Sequence, residues 1–377
     1  MRPSRIPRGS RGAPGHPIHV RVSPAPCPDL PRILRAAPLV LLACLAAACT
    51  SLDPGSPVPA AGAAERFHAG MTFGLFARRE PAFITGGMDE VHGLAANAIS
   101  IVVPWVTPDV RSMRIAPRED MSPRDDALRL AIREAHRRGM SVLLMPIVYV
   151  DEMEEGEWRG TLDPPDWKAW FAEYGRMILH YARLAAEEHV SILSVGSELC
   201  SAESRREEWL ELIGAIRALY AGALTYSSNW DHREELSFGE ALDYLGMNAY
   251  FELSRDPEAP VDELVRAWRP IQAEVERWRG SVGKPLLLTE VGYPSRHGAA
   301  MDPWDYTAAG LPDPEAQERA YRAFLEAWAG APGLAGVYFY LWWGEGGPAD
   351  TGYTPKGKPA EALLRGWFAE IAQREAP

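Results

Sequence analysis

Cysteine is scarce in this chain. Four in 377 residues exclude a disulfide framework as the source of stability, so the fold must stand on a hydrophobic core. A hydrophobic content of 47% supplies the material for one. The histidines are scattered, and no pair falls in a His-Glu-x-x-His or comparable ligand spacing, which argues against a catalytic metal. No Gly-rich phosphate loop is present, and no cofactor is expected. Positive charge is missing where a nucleic-acid partner would need it. The net charge is −12, yet Arg2, Arg5, Arg8, Arg11, Arg21, Arg32 and Arg35 all precede residue 48 against Asp29 alone. The rest of the chain is therefore strongly acidic, which excludes phosphate-backbone binding as its main business. An apolar run long enough for an ordinary membrane-spanning helix is lacking too; residues 36–48 are too short.

That short run has another reading. Arg32 and Arg35 precede Ala36-Ala37-Pro38-Leu39-Val40-Leu41-Leu42-Ala43-Cys44-Leu45-Ala46-Ala47-Ala48, then Cys49. A basic flank, a short apolar stretch and small residues before a break make a secretory signal over residues 1–49. The segment around Cys49 resembles a bacterial lipoprotein lipobox. That resemblance implies lipid attachment at Cys49, hence a membrane anchor in the cell envelope, with Cys44 after Leu41-Leu42-Ala43 as the competing position. Residues 50–65, rich in Pro, Gly, Ala and Ser, read as a flexible tether. Residues 66–377 form the remaining domain.

Within that domain the pattern is regular. Apolar runs are expected as strands at Met71–Phe76, Ala98–Trp105, Ser141–Val148, Ser191–Glu198, Ala223–Ser228, Asp243–Tyr250, Pro285–Val291 and Ala335–Trp343. Helical stretches alternate with them: Met88–Ala96, Ser122–Arg138 with Ser122 as its cap, Asp166–Glu188, Glu203–Tyr220, a short one near Glu234–Ala241, Val261–Arg279, Glu315–Trp328 and Pro359–Ile371. Eight such units predict an α/β fold of the (β/α)8 TIM-barrel type, with a doubly wound open sheet as the alternative.

Two of the strands end in glutamate, Glu198 on the fourth and Glu290 on the seventh. Burying a lone carboxylate costs several kcal/mol unless something uses or satisfies it. The C-terminal strand ends of such a barrel carry its active site. Period-two alternation places Ser194, Gly196 and Glu198 on one face, and Leu286, Leu288 and Glu290 on another, both aimed at the barrel mouth. Paired carboxylates across a cleft suit glycoside hydrolysis, in which one donates a proton and the other attacks the anomeric carbon. Trp105 on the second strand, and Asn229 with Trp230 after the fifth, are placed to line sugar subsites. Thirteen tryptophans favour stacking on pyranose rings, although most belong in a core. The acidic loop Asp151–Glu157 reads as solvated rather than cation-binding.

The motifs Gly196-Ser197-Glu198-Leu199, Thr289-Glu290-Val291-Gly292-Tyr293 and Asp350-Thr351-Gly352-Tyr353-Thr354-Pro355-Lys356-Gly357-Lys358-Pro359-Ala360 resemble those of the clan A glycoside hydrolases. The resemblance is greatest to glycoside hydrolase family 113, the β-mannanase family, from about Gly70 to Phe368. It implies retaining hydrolysis of β-1,4-linked mannan or manno-oligosaccharides, with Glu198 as acid/base and Glu290 as nucleophile. It further implies that Tyr250, which shares a face with Asn248, hydrogen-bonds the nucleophile. One of Trp342 and Trp343 would then form the platform under the reacting sugar. Ser197 stands where much of the clan has an asparagine that binds the sugar 2-hydroxyl. Two alternatives stay open at this point: a non-catalytic glycan-binding envelope protein on the same scaffold, and another clan A activity such as a β-glucanase or transglycosylase.

Overall fold

Segments such as Ile99-Ser100-Ile101-Val102-Val103 and Leu286-Leu287-Leu288 are apolar on both faces and need cover on both. In the computed structural model, which describes residues 66–77 and 79–375, they obtain it in a closed barrel of eight parallel strands paired in chain order. The strands are β1 His68–Gly74, β2 Ala98–Thr107, β3 Ser141–Val150, β4 Ile192–Ser197, β5 Ala223–Asn229, β6 Leu245–Asn248, β7 Leu286–Val291 and β8 Leu334–Trp342. The helices are α1 Pro81–Gly93, α2 Asp125–Arg137, α3 Trp167–Glu187, α4 Arg206–Arg217, α5 Val261–Val282, α6 Pro314–Trp328 and α7 Pro359–Arg374. Between β5 and β6 two 3-10 turns, Arg233–Glu235 and Gly239–Ala241, stand where a helix would otherwise be. The expected (β/α)8 barrel is therefore the observed fold. The signal-like segment, Cys49 and the 50–65 tether lie outside the described residues. No helix among the described residues is long and apolar enough to cross a membrane.

Local chemistry explains the helix starts that sequence patterning misplaced. Helix α1 begins at Pro81 rather than near Met88, with proline in the first turn, where its missing N–H costs nothing. Ser122 does not cap α2. Its hydroxyl accepts instead from the Arg118 amide at 2.9 Å, and the helix starts at Asp125 with Asp125 and Asp126 against its positive end. Asp166 does cap α3, accepting from the Ala169 amide at 3.1 Å.

Side chains divide between two cores. Ala98, Val102, Leu143, Ile192, Leu287 and Tyr338 fill the lumen. Ile99, Ile101, Leu193, Leu286 and Leu288 face outward into the helix layer, where Trp170, Trp209 and Trp268 are fully buried. Each such fully buried apolar side chain contributes about 1.5 to 3 kcal/mol. The connections at the two ends differ in length. Residues 138–140 and 283–285 make short turns below the barrel, whereas residues 151–166, 292–313 and 343–358 make long loops above the strand C-termini. The walls of a cleft are built there.

Candidate active site

Two register shifts deliver the glutamates. In β4, Ser194 pairs with Thr225 but Ser197 pairs with Ser227, so one extra residue enters the strand. Gly196 consequently does not share a face with Glu198. A Cβ on it would lie 2.7 Å from the Tyr226 ring and 2.9 Å from the Tyr174 hydroxyl of α3, on the helix side. Glu198 itself takes left-handed backbone with φ 54°. A non-glycine residue there costs of order 1 to 3 kcal/mol and persists only where its surroundings enforce it. In β7, Leu286 and Leu288 pack outward and Leu287 inward, the reverse of simple alternation counted from Glu290. The strand recovers because Met247 pairs with Leu288 and Asn248 with Glu290, one residue of β6 against two of β7. Thr289 and Glu290 then both find inward partners.

The two carboxyls line one cavity of about 440 Å³ at the barrel mouth, each almost fully buried. Three donors converge on Glu198. Arg159 brings Nε at 3.1 Å and Nη2 at 2.5 Å, both to Oε2, and Asn248 Nδ2 donates to Oε1 at 2.9 Å. Thr289 donates in turn to Asn248 Oδ1 at 2.9 Å. Glu290 has a different setting. The Tyr250 hydroxyl donates to its Oε2 at 2.7 Å. Burial first, and the neighbouring Glu198 second, push Glu290 well above the usual carboxylate range, against the Tyr250 hydrogen bond and the charge on Arg159. Burial and Glu290 likewise push the Tyr250 hydroxyl up, so it remains a donor. Burial opposes the charge on Arg159, but Glu198 and Glu290 outweigh it and raise its pKa. Glu198 is thus bonded to a cation and an amide, while burial disposes Glu290 to keep a proton.

The other expected site residues divide. Tyr250, Asn229, Trp230 and Trp343 line the cavity. Trp230 stacks on Trp304 with centroids 5.3 Å apart, and Trp343 packs edge-on to Phe76 beneath the Arg79 guanidinium. Four expectations need correction. Trp105 points outward from β2, because Val102 faces the lumen and three positions later the pleat has turned over; its indole donates to Tyr181 at 2.9 Å. Trp342 likewise faces the helix layer, donating to Glu90 at 2.8 Å, which leaves Trp343 as the strand-eight aromatic in the cavity. Asn248 is fully buried under Glu198 and orients that carboxylate rather than contacting a ligand. Ser197 is buried at the register shift, outside the cavity lining, with no hydrogen-bond partner for its hydroxyl.

Sequence reasoning missed Arg159, although its position holds a signal. Trp158 and Arg159 follow directly after the acidic run, in the loop above β3, and both line the cavity. Of the acidic residues, Asp151 pairs with Arg118 and Glu157 with Arg111. A buried network behind Glu198 was missed as well. His232 Nδ1 lies 2.7 Å from Glu203 Oε2, Tyr226 donates to Glu203 Oε1 at 2.7 Å, and the Leu199 amide donates to the Tyr226 hydroxyl at 2.8 Å. This chain of bonds ends on the peptide that follows the strained Glu198. Burial raises Glu203, opposed by His232, and Glu203 in turn raises His232.

Comparison with known proteins agrees with the fold. A β-mannanase of glycoside hydrolase family 113 from Alicyclobacillus acidocaldarius, solved with ManMIm, is 28% identical with a TM-score of 0.72, over 81% of this chain and 98% of its own. A second family 113 β-1,4-mannanase structure is 25% identical with a TM-score of 0.70, over 81% and 99%. A β-D-glucuronidase from Dictyoglomus thermophilum, at 13% identity and a TM-score of 0.56 over 83% of this chain and 51% of its own, shares the fold alone. No curated protein sequence matches. The family model for Glycoside Hydrolase Family 113 matches residues 71–357, and with the barrel and its matching solved relatives this establishes that the chain belongs to Glycoside Hydrolase Family 113.

Proposed function

We propose that this glycoside hydrolase cleaves β-1,4-linked mannan or manno-oligosaccharides with retention of configuration, Glu198 serving as acid/base and Glu290 as nucleophile. The observation that carries the reading is the pairing of Glu290 with the Tyr250 hydroxyl in the same cavity as Glu198. A hydrogen bond to the attacking carboxylate stabilises its ionised form and orients it for in-line attack. Attack on the anomeric carbon forms a glycosyl-Glu290 ester while Glu198 protonates the leaving oxygen. Glu198 then takes a proton from water, whose oxygen displaces the ester. The mannan preference is supported by the two family 113 structures, both β-mannanases. Trp230, Trp304 and Trp343 offer apolar faces for pyranose rings.

Product analysis on β-1,4-linked manno-, gluco- and xylo-oligosaccharides tests this, with Glu290→Ala as control. Manno-oligosaccharides are expected to be cleaved first, with activity falling on the order of 10³-fold or more in the variant. Preferential cleavage of glucan or xylan would sink the substrate assignment. We further propose export and lipid attachment at Cys49, on the strength of the apolar run and small residues before it. Mass spectrometry of the mature N-terminus should show a diacylglycerol-modified Cys49; an unmodified thiol there rules the anchor out.

A further inference from the structure

Residues 343–358 connect β8 to α7, and a run of five of them, Asp350, Thr351, Gly352, Tyr353 and Thr354, lines the cavity. This run is fastened to the loop after β7. The Ser295 amide donates to the Thr351 and Gly352 carbonyls at 3.1 and 3.0 Å, and the Tyr353 hydroxyl donates to the Pro303 carbonyl at 2.5 Å. Lys358, at the end of the same connection, has no exposed side-chain surface. A buried cation is costly unless it is paired and hydrogen-bonded. Its ammonium donates to Asp350 Oδ1 at 2.8 Å and to the Gly352 carbonyl at 3.3 Å. The Gly352 amide donates to the same Oδ1 at 2.9 Å. One oxygen of Asp350 is thus held by two donors from its own loop. No hydrogen bond among the described residues reaches the other, Oδ2, although the side chain is 36% exposed and belongs to the cavity wall. The ion pair accounts for Oδ1 alone.

We infer that Asp350 Oδ2 accepts a hydrogen bond from one hydroxyl of the glycone sugar, and that buried Lys358 is the positioning residue that aims it. The inference rests on the roles proposed above for Glu198 and Glu290. The side of the cleft follows from the barrel. The loop after β8 lies four strands round from β4, which carries the proton donor to the leaving group. The sugar beside Asp350 and Trp343 is therefore the glycone. The ligand chemistry follows from the neighbours. The cations lining the cavity, Arg159 and Arg296, are each already on a carboxylate, of Glu198 and of Asp302. An anionic sugar would meet Asp350, Asp231, Glu198 and Glu290 there, with no unpaired cation among the described lining residues. A neutral sugar hydroxyl instead finds an acceptor-only group in fixed orientation. Hydrogen bonds to a carboxylate are the stronger kind, and a site built to bond a hydroxyl rejects the analogue that lacks it.

Asp350→Asn is the decisive substitution. It keeps the shape and lets Oδ1 retain both donors, while the cavity atom changes from acceptor to donor. The substrates are monodeoxy oligosaccharides, each lacking one hydroxyl of the glycone or of the leaving-group sugar, made first in the manno series. In the unsubstituted chain one glycone-deoxy substrate is expected to lose about 10- to 100-fold in kcat/KM. In Asp350→Asn the parent substrate should lose that same factor, and the deoxy substrate should lose no more. Lys358→Met should abolish the same discrimination, and Lys358→Gln, which keeps a shorter donor, should abolish part of it. An Asp350→Asn variant that still discriminates against every missing hydroxyl overturns the contact, as does an effect confined to the leaving-group sugar. Lysine variants that melt earlier yet discriminate as the unsubstituted chain does would mean a merely structural lysine. A chain that cleaves gluco- rather than manno-oligosaccharides moves the same comparison to the gluco series. A wrong sugar assignment and a wrong role for Asp350 therefore give different results, and no cleavage of any β-1,4-linked oligosaccharide would sink both.

Discussion

Glu198 and Glu290 can be told apart by chemistry at the single-atom level. With an activated aryl glycoside, Glu198→Ala should lose turnover and regain it with azide, giving a β-linked glycosyl azide trapped from the covalent intermediate. Glu290→Ala with azide should give the α-linked azide by direct displacement. Exchanged product anomers, read by proton NMR, would reverse the two roles. Tyr250→Phe removes a charge-assisted hydrogen bond worth about 1.5 to 3 kcal/mol, so kcat should fall roughly 10- to 100-fold with KM little changed. Steady-state kinetics decides it. Glu203→Gln breaks the bond chain that holds the backbone after Glu198; stability should fall by about 1 to 3 kcal/mol in denaturant melts, with kcat falling alongside. Both glutamates were legible from the sequence because a lone carboxylate closing an apolar strand is too costly to bury without a use. Arg159 was not, because an arginine in a loop looks like any solvated cation until the fold brings Glu198 to it. Asn248 was legible in position but not in role, since only the three-dimensional arrangement shows it beneath the carboxylate.

At the scale of elements, the period-two rule succeeds for β6 and the residues just after it, where Asn248 and Tyr250 both turn inward, and fails for β4 and β7. The failures coincide with the register shifts at Ser194–Ser197 and at Asn248–Glu290. An extra residue costs ladder bonds and leaves no trace in hydrophobic patterning, yet it re-aims the side chain that follows. Trp342 likewise follows a register shift in β8, whereas Trp105 lies on β2 in unbroken register, where alternation from Val102 already turns it outward. The loop above β3 is built with little slack. A Cβ on Gly160 would lie 2.3 Å from the Trp158 ring, so Gly160→Ala must displace either that ring, which lines the cavity, or the turn that presents Arg159. We expect kcat/KM to fall at least about 10-fold while the melting temperature moves by less than about 2 °C, since the turn lies outside the barrel. A large loss of thermal stability in a melting scan would contradict that.

Over the whole molecule, stability and chemistry occupy opposite ends. Below the barrel, at the turn from α3 into β4, Glu188 is gripped by Arg133 at 2.7 Å and by Arg129 at 2.7 Å from α2. These bonds hold its carboxyl below the usual range, Arg133 first. A depressed carboxylate stabilises the fold above its unfolded pKa, near 4.3, and the stabilisation is lost as pH falls through the folded value. Glu188→Gln should therefore lower the melting temperature at neutral pH by roughly 2 to 4 °C with kcat unchanged, and the deficit should shrink as pH falls below the unfolded pKa. Calorimetry across pH checks both parts. The barrel itself was legible in outline, from eight apolar segments in alternation, because a parallel sheet buried on both faces writes continuous hydrophobic runs. The division of the tryptophans has an optical consequence. Trp158, Trp230, Trp304 and Trp343 line the cavity, whereas Trp170, Trp209 and Trp268 are sealed in the helix layer. Emission from the first group is open to iodide quenching and to change when an oligosaccharide fills the mouth. Emission from the second forms a constant background, so the protein carries its own fluorescent gauge of occupancy.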